Sequence, residues 1–361
     1  MRGNRECRGL QGAGREQVGC ACRNQQGKDE RNAMKRRQLF ATVTGLMTLA
    51  SLPMTSALAQ DAYPSEPIHI TVVWPAGGGH DLVGRLIGHE LSEIMDTAVV
   101  VDNVTGAGGS TGIRHIVEAD PDGYTIGVMG LHAVSQSFMN PAAPKLDGLD
   151  PIAYISDEPG AIEVSVDMGI DTLDDYVAAM KSDPMSLMNG NDPQGGNSFI
   201  FASVIPDALG VNMMKLPYPG HAPTVTALLT GEVQTATLPI PPILEHAKAG
   251  KVKVLGVASD QRHPQLPDVP TFKEQGYDVV VNDFVMLVAP VGIPQDVRAK
   301  LEEGLLQAIN SAGFTSAAAD NGMVLRPGGA DLAAEELAKQ VELVYPILED
   351  AGLVAEELKR K

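Results

Sequence analysis

Cysteine is scarce in this 361-residue chain, and its placement excludes more than its number does. Cys7, Cys20 and Cys22 all precede Met34. Everything after that point lacks a disulfide, a thiol nucleophile and a cysteine metal site. No G-K-[ST] occurs, so there is no phosphate-cradling Walker loop. No H-x-x-x-H occurs either, and His69, His89 and His115 read as solvated or packed residues rather than metal ligands. Positive charge is short: 27 Lys and Arg face 45 Asp and Glu, a net charge of −18. Aromatics make up 4%, with Trp74 the single tryptophan.

What is present begins with a leader pattern. From Met34 the chain reads MKRRQLFATVTGLMTLASLPMTSALAQ. Lys35, Arg36 and Arg37 form a basic n-region, Leu39 to Leu52 an apolar h-region, and Ala57-Leu58-Ala59 an A-x-A cleavage site. The pattern predicts a secretory signal peptide over 34–59, cut after Ala59. Residues 1–33 are polar and basic and read as a non-native, disordered extension ahead of the true start at Met34. No other stretch reaches the length of a membrane span. No cysteine follows Ala59, so a lipid anchor there is excluded.

The first 59 residues hold 10 of the basic and 4 of the acidic residues. The remaining 302 carry 17 basic and 41 acidic residues, a net charge of −24. Nucleic acid and anionic membrane surfaces are poor partners for such a field. An anionic solute is repelled at long range as well, so any anion site must work by local geometry.

Strand and helix patterns alternate. The spacing predicts strands over 68–73, 98–101, 124–129, 162–166, 185–188, 252–258 and 279–288. It predicts helices over 81–95, up to 119, over 173–180, from 198, over 224–229, 297–309 and 332–348. Pro206 is expected to end or kink the helix opened at 195–198, and Pro223 to start the one at 224. Alternation of this kind implies parallel sheets with helices on both faces. The length suits two domains, joined through strands near 160–166 and 281–288 rather than through a tether.

Glycine clusters stand at the strand-to-helix junctions. Trp74-Pro75-Ala76-Gly77-Gly78-Gly79-His80-Asp81 is the first. A dinucleotide fingerprint fails there, with Leu82 where the third glycine should stand, and fails again from Gly106, with Thr111 in that place. Gly108-Gly109-Ser110-Thr111-Gly112 satisfies G-x-S-x-G, but Asp102 to Ala107 separate it from the strand, too long for a nucleophile elbow. There Ser110 or Thr111 reads as a helix cap. His132, His221, His246 and His263 lie downstream, but spacing pairs none with Ser110.

The remaining reading uses backbone. A helix N-terminus offers unpaired N–H groups and partial positive charge, and glycines before it let an anion approach. Gly77–Asp81, Gly106–Thr111 and Gly195–Ser198 are three such turns, and Pro217–Pro223 is a stiffer fourth. None contains Lys or Arg. Converging on one cleft, they would hold a carboxylate by amide donors. Asp81 either starts its helix or touches the ligand.

Several segments together resemble a known family. Tyr63-Pro64-Ser65-Glu66-Pro67-Ile68, Pro75 to Asp81 with Arg85, Asp102-Asn103 with Gly106 to Gly109, and Pro121-Asp122-Gly123-Tyr124-Thr125 carry it. It continues through Pro217 to Pro223, Gly231-Glu232-Val233, Pro267 to Thr271, Glu274-Gln275-Gly276 and Ala289-Pro290. The chain after residue 59 resembles the Bug/TctC periplasmic solute-binding proteins of tripartite tricarboxylate transporters.

The resemblance implies an α/β, two-lobed periplasmic binding protein of the Venus-flytrap, type II-like kind, each lobe a mostly parallel sheet flanked by helices. Lobe 1 would hold 60–163 and 284–361, and lobe 2 would hold 164–283. It implies capture without catalysis, cofactor or metal, by a periplasmic monomer with no membrane anchor of its own. The solute would be a di- or tricarboxylate, an acidic amino acid or an aromatic acid, delivered to membrane permease subunits. A sensing partner of a signalling receptor and an exported serine hydrolase are the alternatives.

The family's ligand loops map onto Ala76, Gly77, Gly78, Gly79, His80 and Asp81, onto Gly109, Ser110 and Thr111, and onto Gly195, Gly196, Asn197 and Ser198. Trp74, His132, Tyr218 and Gly220 complete the expected site. Gly196, Asn197, Phe199 and Pro219 depart from the family pattern, so the contacts of lobe 2 are the least transferable.

Overall fold

The computed structural model describes residues 63–360. The expected leader, its cleavage site and all three cysteines lie outside the described residues.

Two sheets form the frame. The first takes strands β1 (Ile68–Val72), β2 (Val99–Asn103), β3 (Thr125–Met129) and β4 (Leu149–Pro159). The second takes β5 (Ala161–Ser165), β6 (Met188–Asn191), β7 (Met214–Pro217), β8 (Thr235–Ala236) and β9 (Val252–Val257). The chain then returns to the first sheet with β10 (Asn282–Pro290) and β11 (Val324–Gly328). Strand order is β11-β4-β10-β3-β1-β2 in one and β7-β6-β8-β5-β9 in the other.

Around the first sheet lie helices α1 (Gly79–Met95), α2 (Ser110–Val117) and α3 (Leu131–Met139). Helices α4 (Leu173–Ser182), α5 (Asn197–Leu209), α6 (His221–Thr230) and α7 (Leu244–Lys248) belong to the middle of the chain. The tail supplies α8 (Gln295–Ile309), α9 (Ala312–Asp320) and α10 (Ala330–Asp350).

The α/β two-lobed architecture is as expected, but the pairing is mixed rather than mostly parallel. Only β2 and β3 run parallel to β1, and only β7 and β8 run parallel to β6. The crossing is the cause. Strand β4 leaves the first sheet to become β5 at Gly160, and β10 comes back beside β4 in the opposite direction. A side chain at Gly160 would bring its Cβ to 2.7 Å from the Phe201 ring, so the crossing needs glycine.

Apolar spacing sets the layers. Val83, Ile87 and Leu91 recur every fourth residue and bury one stripe of α1 on the sheet. Gly84 on the same helix lets it lie close, since a Cβ there would meet Val72 at 2.8 Å.

Three local expectations are corrected. Helix α5 runs past Pro206 to Leu209, so Pro206 does not end it: the proline removes its own N–H from the ladder, while its carbonyl still accepts from Val211 and Gly210. Helix α6 starts at His221, not at 224, so Pro223 falls in the first turn, where no N–H needs an acceptor. The strand expected at 185–188 forms at 188–191, after a turn in which the Ser186 amide donates to the Asp183 carbonyl. Helix α3 and strand β4 carry no clear period in the sequence and went unassigned.

Candidate functional site

The first turn sits between β1 and α1. Its shape is held by Asp81, whose carboxylate is 4% exposed. That carboxylate accepts from the Gly77 amide at 2.9 Å, from Arg85 Nε and Nη2 at 3.0 and 2.9 Å, and from Asn103 Nδ2 at 2.9 Å. Burial alone would raise its pKa, but the hydrogen bonds from Arg85, Gly77 and Asn103 outweigh that and hold it below the usual carboxylate range. Asp81 is thus fully engaged in bracing the loop, and Arg85, the nearest cation, is spent on it. Asp81→Ala should cost about 2 kcal/mol, because the Gly77 amide and Asn103 lose a buried acceptor; urea unfolding followed by circular dichroism measures it.

With Asp81 turned inward, the first-turn amides of Gly79 and His80 have no acceptor within the helix. The glycines above them are exposed, and the nearest atom to a Cβ at Gly78 is the Pro75 carbonyl at 3.7 Å. The loop therefore faces open space.

The second turn rests on His132. A Cβ at Gly109 would stand 2.7 Å from the His132 ring, and Trp74 Nε1 donates to His132 Nδ1 at 3.1 Å. His132 is buried and its Nε2 has no partner. Desolvation, with His80 nearby, pushes its pKa well below the ordinary value, so the ring is neutral. Ser110 Oγ is buried without a hydrogen bond, and Gly109, not Ser110 or Thr111, occupies the cap of α2. Thr111 is exposed and packs against Gly106.

Helix α3 joins these turns to the second lobe. Gln136 lies 2.9 Å from a Cβ at Gly108 and 3.1 Å from one at Gly195. At the helix start, a Cβ at Gly130 would meet His80 Nε2 at 2.6 Å and Asp283 Oδ1 at 2.9 Å. Asp283, 1% exposed on β10, accepts from the Leu131 amide at 2.7 Å, the Phe284 amide at 2.8 Å and Asn197 Nδ2 at 2.6 Å. Asn197 Oδ1 in turn meets His221 Nε2 at 2.9 Å, bringing in the fourth turn. All four turns thus adjoin one region between the sheets.

His221 also faces Asp192 at 3.5 Å. Burial pulls the His221 pKa down, but Asp192 outweighs it and leaves it raised. Burial likewise opposes ionisation of Asp192, and His221 with Ser198 holds it low. His80, by contrast, is lowered by desolvation. Ser198 donates its amide to Asp192 at 3.2 Å and its hydroxyl accepts from the Asp192 amide at 2.7 Å, so it braces the third turn. Gly195 is buried against Met139, and a Cβ at Gly196 would clash with Asp192. Tyr218 sends its hydroxyl to Glu232 at 2.9 Å, and Gly220 caps α6 with φ of 114°.

Glu158 completes the region. It lies opposite Asp283 in the β4–β10 register, 5% exposed, with Oε1 4.0 Å from a Cβ at Gly79. Neither Glu158 nor Asp283 was expected from sequence. Both hide inside strands, although Asn282-Asp283 does interrupt an otherwise apolar run.

Residues 83–353 match the family described as "Tripartite tricarboxylate transporter family receptor". The chain belongs to this family. A protein of Agrobacterium vitis, from the ttuE–ttuC' intergenic region of TAR-I, is 30% identical over 330 residues, covering 89% of this chain and 95% of the relative. The periplasmic binding protein BugD is 28% identical, with a TM-score of 0.73, over 81% of this chain and 99% of BugD. MatC of Rhodopseudomonas palustris, solved with bound malate, is 26% identical, with a TM-score of 0.69, over 78% of this chain and all of that one. Family and fold are those of solute-binding receptors, not enzymes. No helix among the described residues is long and apolar enough to cross a membrane.

Proposed function

We propose that this receptor captures a small carboxylate between its lobes in the periplasm and delivers it to the permease subunits of a tripartite tricarboxylate transporter. The carrying observation is the first turn: Asp81 and Arg85 neutralise each other below it, leaving glycine amides facing open space. A carboxylate fits those amides, with the helix dipole behind them. In this reading the first sheet with its helices forms one jaw and the second sheet with its helices the other, acting as a monomer. The jaws meet at Gly160 and just before Asn282, a few residues from the expected bounds at 163 and 284. Gly77 to His80, Gly109 to Thr111 and Gly195 to Asn197 present backbone to the solute. Asp81, Ser198 and Tyr218 shape the loops, and Trp74 with His132 forms a wall. The malate held by MatC is a solute of the expected kind.

A thermal-shift screen against mono-, di- and tricarboxylates tests this. A true ligand at a hundredfold its Kd should add about 2.7 kcal/mol of stability, and a flat response to every carboxylate would refute the reading. Because no unpaired lysine or arginine lines the turns among the described residues, affinity should change by less than about threefold between 50 and 500 mM salt. Calorimetry at the two ionic strengths measures that change.

A further inference from the structure

The carboxyl groups of the cleft are not equivalent. Asp283 is saturated by two amides and Asn197. Asp192 is taken by Ser198 and His221. Glu158 alone among these three has no hydrogen-bond partner among the described residues, though it is as buried as they are. It stands at the mouth of the first turn, beside Gly79 and across from Asp283.

We propose that Glu158 is the specificity residue of this receptor and selects a solute carrying an ammonium group close to its carboxylate. The inference rests on the carboxylate reading above and adds the solute's second group. A carboxylate on the first-turn amides places the next atoms of a small solute a few ångströms away, at the Glu158 carboxyl. An ammonium there gains a charge-assisted hydrogen bond. A second carboxylate there gains no such pair and lies against Asp283, with no unpaired lysine or arginine among the described residues beside it to offset that contact.

The charged and titratable neighbours are Asp283 on β10, His221 at the start of α6, His80 at the start of α1, and Asp192 after β6. Desolvation first, and then Asp283, raises the Glu158 pKa to about 8, with His221 opposing. In the empty cleft at pH 7 the group is therefore mostly a neutral acid. Pairing with an ammonium favours its ionised form, so the carboxyl O–H breaks and the proton passes to the buffer.

Calorimetry on matched pairs, aspartate against succinate and glutamate against glutarate, tests this in buffers of differing ionisation enthalpy. The amino member of at least one pair should bind about tenfold or more tightly than its partner. It should release close to one proton at pH 7. In Glu158→Gln the amino preference should fall to within about threefold, and the release should vanish. Equal or tighter binding of the des-amino member overturns the proposal, as does an unchanged preference in Glu158→Gln. Either result leaves carboxylate capture standing. Failure of all four probes overturns the ammonium assignment, and only an equally flat carboxylate screen would remove carboxylate capture with it.

Discussion

Gly78→Val should abolish solute binding while leaving the fold intact. Gly78 has φ of −86° and ψ of 173°, extended backbone that valine adopts without strain. Its Cβ would make only an ordinary contact, 3.7 Å from the Pro75 carbonyl. The branched methyls would then fill the space over the first-turn amides, where the carboxylate is proposed to lie. Affinity should fall more than about a hundredfold, equivalent to at least 2.7 kcal/mol. Stability should change by less than about 1 kcal/mol, with valine restricting the unfolded chain in its favour. Neighbouring glycines would give ambiguous results. Gly77 has φ of 88°, so a side chain there strains the backbone. At Gly109 and Gly196 a Cβ would strike His132 and Asp192, so lost binding could reflect a broken loop. Unchanged affinity of Gly78→Val by calorimetry would remove the first turn from the site.

The turns were legible in sequence because a chain that brings bare backbone to a surface must spell it with glycine. The same logic exposed the first helix, whose apolar stripe repeats every fourth residue. What stayed hidden lies where two distant strands meet. Glu158 and Asp283 are 125 positions apart and are paired only by the return of β10 beside β4. Helix α3 stayed hidden for a similar reason. Its start is capped by Asp283 rather than by a residue of its own. Asp81 could be read as a loop brace or as a ligand contact, and only the positions of Arg85 and Asn103 decide it. Mixed pairing within the sheets followed from the crossing, which no local period encodes.

Glu158→Gln should make the unliganded protein more stable at pH 8 and change it little at pH 4. In the unfolded chain this carboxyl ionises near its ordinary value of 4.5, whereas in the fold it holds its proton up to about 8. Below the lower value both states are protonated and the group contributes nothing to pH dependence. Between the two, the unfolded chain has shed a proton that the folded chain retains. Each pH unit in that window therefore costs the fold up to about 1.4 kcal/mol. Above about 8 both states are ionised and the full penalty, several kcal/mol at most, stays constant. Glutamine has the same shape and does not titrate, so the window closes in the variant. Other groups titrate too. Burial raises Glu163 well above its ordinary value, with its bond from the Leu238 amide opposing, and gives it a slope of the same sign. His221 is raised, so the stability it contributes is also lost as pH rises. The Glu163 slope persists in the variant, whereas Glu158 is one of the groups that raise His221, so the difference between the two urea-unfolding profiles reports Glu158 together with its coupling to His221. A difference that grows steadily from pH 5 to 8 and then levels is expected. A difference independent of pH would mean that the folded group already ionises near 4.5, leaving an ordinary carboxylate beside Asp283 and no proton to release when a solute binds.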